Sequence, residues 1–181
     1  MTPNIHITHF KQAEMLLEDL NFKPPIKALI SIGLAKEDPP KGYNIVPRYL
    51  RLCFNDILAE EEELIRINRP DVRAPAKEDI QKIITFAESI KDSGGTVLIH
   101  CAAGFSRSPA AAAICMRQWL GKDSEEEVAK FIFKIRPPVS PNKTMIRLAD
   151  EIFCSGGKLV TAIDFRQKAL MAMASRKPNF S

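Results

Sequence analysis

Apolar residues along the chain follow two rhythms. Three short runs, at residues 28–34, 49–54 and 96–100, are apolar and rich in β-branched or aromatic side chains. The first and third are nearly continuous, as expected of strands buried on both faces. Prolines at 24–25 and 39–40 bracket the first, and Gly94 and Gly95 lead into the third. Elsewhere the period is helical: Ile80, Ile83, Ile84, Ala87 and Ile90 recur on one face, which predicts an amphipathic helix between the second and third strands. Beyond Cys101 the pattern is helical throughout. One helix is predicted over 107–120, stopped by Gly121. Ser124 with Glu127 predicts a capping box opening the next, whose stripe is Val128, Phe131, Ile132 and Ile135 and whose end is Pro137-Pro138. Pro141-Asn142 starts another, carrying Met145, Ala149, Ile152 and Phe153, and Gly156-Gly157 precedes a last helix over 159–173. Strands separated by helices and followed by helices alone predict an α/β fold, a mostly parallel central sheet flanked by helices with a helical C-terminal half. The expected organisation is one domain over 1–174 and a flexible tail over 175–181.

Composition narrows the class. With 181 residues, 45% hydrophobic and 27% charged, the chain is the size of one globular domain. No apolar run approaches the roughly 20 residues of a membrane span, and the first residues lack the basic start and apolar stretch of a secretory signal. A soluble, cytoplasmic protein is expected. Four cysteines are too few and too scattered for a disulfide framework and form no Cys-x-x-Cys pair, so reduced thiols and no metal are expected. The net charge of +4 is spread among acidic residues, with one Trp and two Tyr, which argues against a nucleic-acid partner and suits an anionic substrate. His6 and His9, three residues apart, have no companion ligand and read as surface side chains.

The chemistry concentrates in residues 97–109, where a buried strand runs into His100-Cys101-Ala102-Ala103-Gly104-Phe105-Ser106-Arg107-Ser108 and then into a helix. A strand-to-helix turn aims backbone N–H groups at one spot, and the helix adds the positive end of its dipole, so the loop predicts an oxyanion site. Gly104 permits positive φ in the tight part of the turn, and Arg107 adds a fork of donors suited to phosphate oxygens. A thiol at the base of that cradle lies in a field that favours thiolate, which makes Cys101 a candidate nucleophile. A phosphomonoester also needs an acid for its leaving group.

Cys-x5-Arg preceded by His and followed by Ser resembles the signature of the cysteine-dependent protein tyrosine phosphatase superfamily. Arg136-Pro137-Pro138 and Pro141-Asn142 resemble its dual-specificity-like members. Phe54-Asn55-Asp56-Ile57, the Cys-Ala-Ala-Gly-Phe-Ser-Arg-Ser loop and the terminal Val160-Thr161-Ala162-Ile163 resemble a bacterial branch of it. The resemblance implies that fold and a metal-independent double displacement without cofactor. Cys101 is then the nucleophile. Ala102, Ala103, Gly104, Phe105, Ser106 and Arg107 bind phosphate, and Ser108 stabilises the departing thiolate. His100 and Asn142 support the loop, His100 by bonding its backbone. The general acid is Asp56, just past the second strand, with Asp71 as the alternative. Phosphorylated protein or aryl phosphate is the implied substrate and inorganic phosphate the product. The loop carries no Lys or second Arg, which disfavours polyphosphorylated lipids and favours an aryl ester that Phe105 can contact. Cys53 is a candidate redox partner of Cys101. The segment 58–77, with its run Glu60 to Glu63, reads as a solvated face or as a lid that repels acidic substrates. A phosphate-binding protein without turnover and a sulfur-transfer or arsenate-reducing enzyme are the competing readings of the same loop.

Overall fold

The computed structural model describes residues 1–175. Four strands, β1 (Asn4–His9), β2 (Ile26–Gly33), β3 (Arg48–Cys53) and β4 (Thr96–Cys101), form one wholly parallel sheet in the order β1-β4-β2-β3. Three of the strands lie within two residues of their predicted positions. The fourth, β1, was not predicted, although Ile5 and Ile7 alternate with polar residues along it. It is an edge strand in which apolar residues hold only alternate positions, so it carries half the apolar signal of β2 or β4.

Among the described residues seven α-helices surround the sheet: α1 (Phe10–Glu18), α2 (Ala59–Arg66), α3 (Lys77–Ile90), α4 (Arg107–Leu120), α5 (Glu125–Ile135), α6 (Lys143–Ile152) and α7 (Lys158–Ser175). Alternation along the strands divides the core. Ile30, Ile32, Val97 and Ile99 face α3 to α7, whereas Leu29 and Leu98 face Ala13 and Leu17 of α1, with Tyr43 and Tyr49 beside them. Both faces are therefore buried, as the strand runs predicted. Helix α4 lies innermost, and its Ala110 to Ala113 are fully buried. Four consecutive small side chains leave no outward face and let α4 approach the sheet and α3 closely.

Three local expectations are corrected. Ser124 does stand at the N-cap of α5, but its hydroxyl donates to Gly121 O at 2.7 Å and caps no amide. The hydroxyl is used to close the turn out of α4. Ser175, assigned to a tail, belongs to α7, and the rest of that tail, 176–181, lies outside the described residues. His6 and His9 are half-buried: His6 meets the Phe22 ring edge-on, and His9 Nδ1 accepts from Gln12 N at 3.3 Å as the N-cap of α1. Among the described residues, no helix is long and apolar enough to cross a membrane.

Candidate active site

All strands point their C-terminal ends the same way, so His9, Gly33, Cys53 and Cys101 surround one crevice. This is the edge at which parallel α/β sheets bind ligands. Cys101 closes β4, is 1% exposed, and sits beneath the loop 102–106 that feeds α4. The Gly104 amide donates to its Sγ at 3.3 Å, and Ser108 Oγ lies 3.3 Å from the same sulfur.

The loop holds this shape because its carbonyls are engaged outward. Ala102 O accepts from Phe10 N, Phe105 O from Ser140 N, and Ser106 O from Asn142 N. Gly104 adopts φ +69°, and a Cβ there would stand 2.7 Å from Thr8 C and O. Both the backbone conformation and the contact with β1 therefore require glycine. Ala103 and Phe105 are exposed on the outside of the loop.

Arg107, 6% exposed, donates Nη1 to Phe54 O at 2.8 Å, while its buried Nε has no hydrogen-bond partner and lies 4.0 Å from Asp56 Oδ2. A buried guanidinium N–H without a partner marks a position for an acceptor from outside the chain. Asp56 Oδ1 is saturated by Ser106 Oγ at 2.6 Å and Asn142 Nδ2 at 2.9 Å. Asn142 Oδ1 also caps α6 through Met145 N at 3.0 Å, so one side chain links that helix to the carboxylate. Asp71 is exposed in the turn after α2. The carboxylate that meets the loop is Asp56. An open cavity of about 390 Å³ beside it is lined by Ile57, Leu58, Phe105, Ser106 and Pro141 among others.

His100 has a partner the sequence did not indicate. Its Nε2 pairs with Ser31 Oγ at 2.8 Å, and that hydroxyl accepts from Arg51 Nη1 at 2.8 Å, so its hydrogen is free for the imidazole. The ring Nδ1 meets no partner at close hydrogen-bonding distance, although the Cys101 backbone interacts with the ring and opposes the lowering of its pKa. Burial pushes the His100 pKa down to about 4, and the charges of Arg51 and Arg107 act in the same sense. The ring is therefore neutral at neutral pH. Ser31 and Arg51 carry no motif and were not anticipated.

The candidate redox partnership of Cys53 with Cys101 is not supported by the sheet. Gly33 pairs with Cys53 and Ser31 with His100, so β2 lies between the two cysteines. Two strand spacings are about 9.6 Å, whereas a disulfide joins Cα atoms about 4.4–6.8 Å apart. The acidic run is likewise engaged in the fold. Glu60 pairs with Arg147, Glu61 accepts from Leu58 N at 2.9 Å, and Glu62 accepts from Ala74 N at 3.1 Å. Glu60 to Glu62 lie in the first turn of α2, a helix tied to α6, and Glu60, Glu61 and Glu63 are exposed, so the run is a solvated helical face and not a loop.

Comparison with known proteins points to one family. Residues 44–150 match the family model for the dual specificity phosphatase catalytic domain. Mouse dual specificity protein phosphatase 2 is 35% identical over 80 residues, 41% of this chain and 24% of that protein. Rat dual specificity protein phosphatase 5 is 42% identical over 65 residues, 34% of this chain and 16% of that protein. The matched stretch thus spans a quarter or less of these relatives. Among solved structures, human tyrosine phosphatase-like serine/threonine/tyrosine-interacting protein superposes with a TM-score of 0.63 at 18% identity, over 84% of this chain and 92% of that one. Human DUSP28 does so at 0.59 and 16%, over 94% and 96%. At such identities the likeness is one of fold. A Cys-x5-Arg loop between β4 and α4, within a family match that covers more than half of the sequence, establishes that the chain belongs to the dual specificity phosphatase catalytic-domain family.

Proposed function

We propose that the protein hydrolyses phosphomonoesters of phosphotyrosine or dual-specificity type through a cysteinyl-phosphate intermediate. One observation carries the reading: within one loop the Cys101 sulfur receives the Gly104 amide at 3.3 Å, and the buried Arg107 Nε has no hydrogen-bond partner in the chain. A nucleophile and a site for equatorial phosphoryl oxygens are thereby juxtaposed. In the first step Cys101 Sγ bonds to phosphorus as the bond to the leaving oxygen breaks. Asp56 delivers a proton to that oxygen from Oδ2, the carboxyl oxygen not occupied by Ser106 and Asn142. In the second, a water attacks phosphorus and gives its proton to Asp56. Sulfur departs as thiolate, to which Ser108 Oγ donates across 3.3 Å. The products are an alcohol or phenol and inorganic phosphate.

Every group the two steps need is supplied by the chain, so the reaction is proposed to require neither metal nor cofactor. Phe105, 44% exposed at the cavity rim with Ile57 and Pro141 beside it, favours an aryl ester. A cytoplasmic setting belongs to the same proposal, since it keeps Cys101 reduced. Affinity to a bacterial branch rests on the motifs at 54–57 and 160–163.

The test is p-nitrophenyl phosphate hydrolysis against pH, with EDTA, for the wild type and Cys101→Ser. A bell-shaped profile in the wild type and no turnover in the variant are expected. An inactive but folded wild type with reduced Cys101 would favour phosphate binding without turnover. Phosphopeptides of the three types then order the substrates, and a clear preference for phosphoserine would overturn the aryl reading.

A further inference from the structure

We propose that Arg73, locked in place by Asp79, is the positioning residue that holds Asp56 over the phosphate loop, and that the segment 58–77 serves as a brace for the acid. The inference rests on the reading of Asp56 as general acid.

Each backbone position leading to Asp56 is held. Arg73 Nη2 donates to Cys53 O at 2.6 Å, and Arg107 Nη1 donates to Phe54 O at 2.8 Å. Two guanidinium groups thus grip consecutive carbonyls from opposite sides. Asn55 is pinned reciprocally, its N donating to Arg73 O at 2.7 Å and its Oδ1 accepting from Arg73 N at 3.1 Å. The Arg73 guanidinium also lies 5.7 Å from the centroid of the Phe54 ring. Asp56 follows directly, with its carboxylate on Ser106 and Asn142.

Arg73 can do this because Asp79 fixes it. Nη1 meets Asp79 Oδ2 at 2.6 Å and Nη2 meets Oδ1 at 3.1 Å, a forked pair only an arginine can make. Asp79 is 4% exposed in the first turn of α3, where Oδ2 also accepts Ala76 N at 2.9 Å. Its position is therefore set by the core helix. From the other side, Glu62 of α2 holds Ala74 N, and Thr144 Oγ1 of α6 holds Ala59 N. The chain between Asp56 and α3 is tied at both ends and in the middle.

The experiment compares kcat/KM for two esters, phenyl phosphate, whose leaving group needs protonation, and dinitrophenyl phosphate, whose leaving group does not. Arg73→Gln, Arg73→Lys and Asp79→Asn are each measured beside Asp56→Asn, with thermal unfolding of all four. The expected result is a fall of about 10- to 100-fold on phenyl phosphate and less than about threefold on dinitrophenyl phosphate for the brace variants. Arg73→Lys keeps the charge and stem, so it tests the fork without removing the side chain. An equal fall on both esters, or no fall on phenyl phosphate, overturns the inference. If Asp56→Asn discriminates between the esters and the Arg73 and Asp79 variants do not, the brace alone fails. If Asp56→Asn does not discriminate, the reading of Asp56 as acid fails and the brace with it.

Discussion

The α-carbon of Gly104 rests against the carbonyl of Thr8, so close that a Cβ would stand 2.7 Å from the Thr8 carbonyl carbon and oxygen. The edge strand β1 thereby acts as the floor of the phosphate loop, and the φ of +69° sets the turn that brings the Gly104 amide to the Cys101 sulfur. Replacing Gly104 by alanine adds strain and overpacking together, at about 2–4 kcal/mol of stability. Hydrolysis is expected to fall by about 100-fold or more, because the loop must shift. Urea unfolding and steady-state kinetics check both, and wild-type values for the variant would show that β1 yields without disturbing the loop.

Ser108 distinguishes the two chemical steps. Its hydroxyl lies 3.3 Å from the Cys101 sulfur, so in the proposed mechanism it acts when thiolate departs. Loss of a hydrogen bond to a charged group corresponds to about 10- to 100-fold in rate. Ser108→Ala is expected to lower kcat by that factor while kcat/KM holds, with a burst of nitrophenol equal to the enzyme present. A parallel fall in kcat/KM without a burst would assign Ser108 to loop structure instead.

His100 makes stability depend on pH. Its folded pKa of about 4 lies below the 6.5 of an unperturbed imidazole, so the unfolded chain binds the extra proton first. The contribution is fully present above pH 6.5 and is lost as pH falls toward 4. Between pH 7 and pH 4.5 the wild type should lose about 2–3 kcal/mol more unfolding free energy than His100→Asn. Identical pH slopes for the two proteins would show that the buried ring accepts a proton in place.

Oxidation tests the separation of the cysteines. With β2 between Cys53 and Cys101, mild peroxide should oxidise Cys101 without forming a peptide bridged to Cys53. Peptide mass mapping reads this directly. A bridged peptide in high yield would mean that the strand ends separate in solution.

Much of this protein is decided locally. The runs at 28–34 and 96–100 must be buried because no alternation leaves them a polar face, and a loop of Cys-x5-Arg between such a strand and a helix must turn its amides inward. Cys101, Arg107 and Ser108 were legible for that reason, as were α3 to α7 from apolar spacing and glycine or proline stops. That Asp56 would stand near the loop followed from its place after β3, and its carboxylate does meet Ser106. What tertiary structure decided is whatever depends on residues distant in the chain. The pairing of β1 with β4 brings Thr8 under Gly104, ninety-six positions away. The relay from Arg51 through Ser31 to His100 depends on the strand order β3-β2-β4, since neither Ser31 nor Arg51 carries a local signal. The order of strands in the sheet separates Cys53 from Cys101, which their equivalent positions at strand ends could not reveal. The run Glu60 to Glu63 is the solvated face its composition suggested, and only the tertiary structure adds the ties of Glu62 to Ala74 and of Glu60 to Arg147. Sequence spacing reports which side chains share a face within one element, whereas contacts between elements are set by how their apolar faces pack.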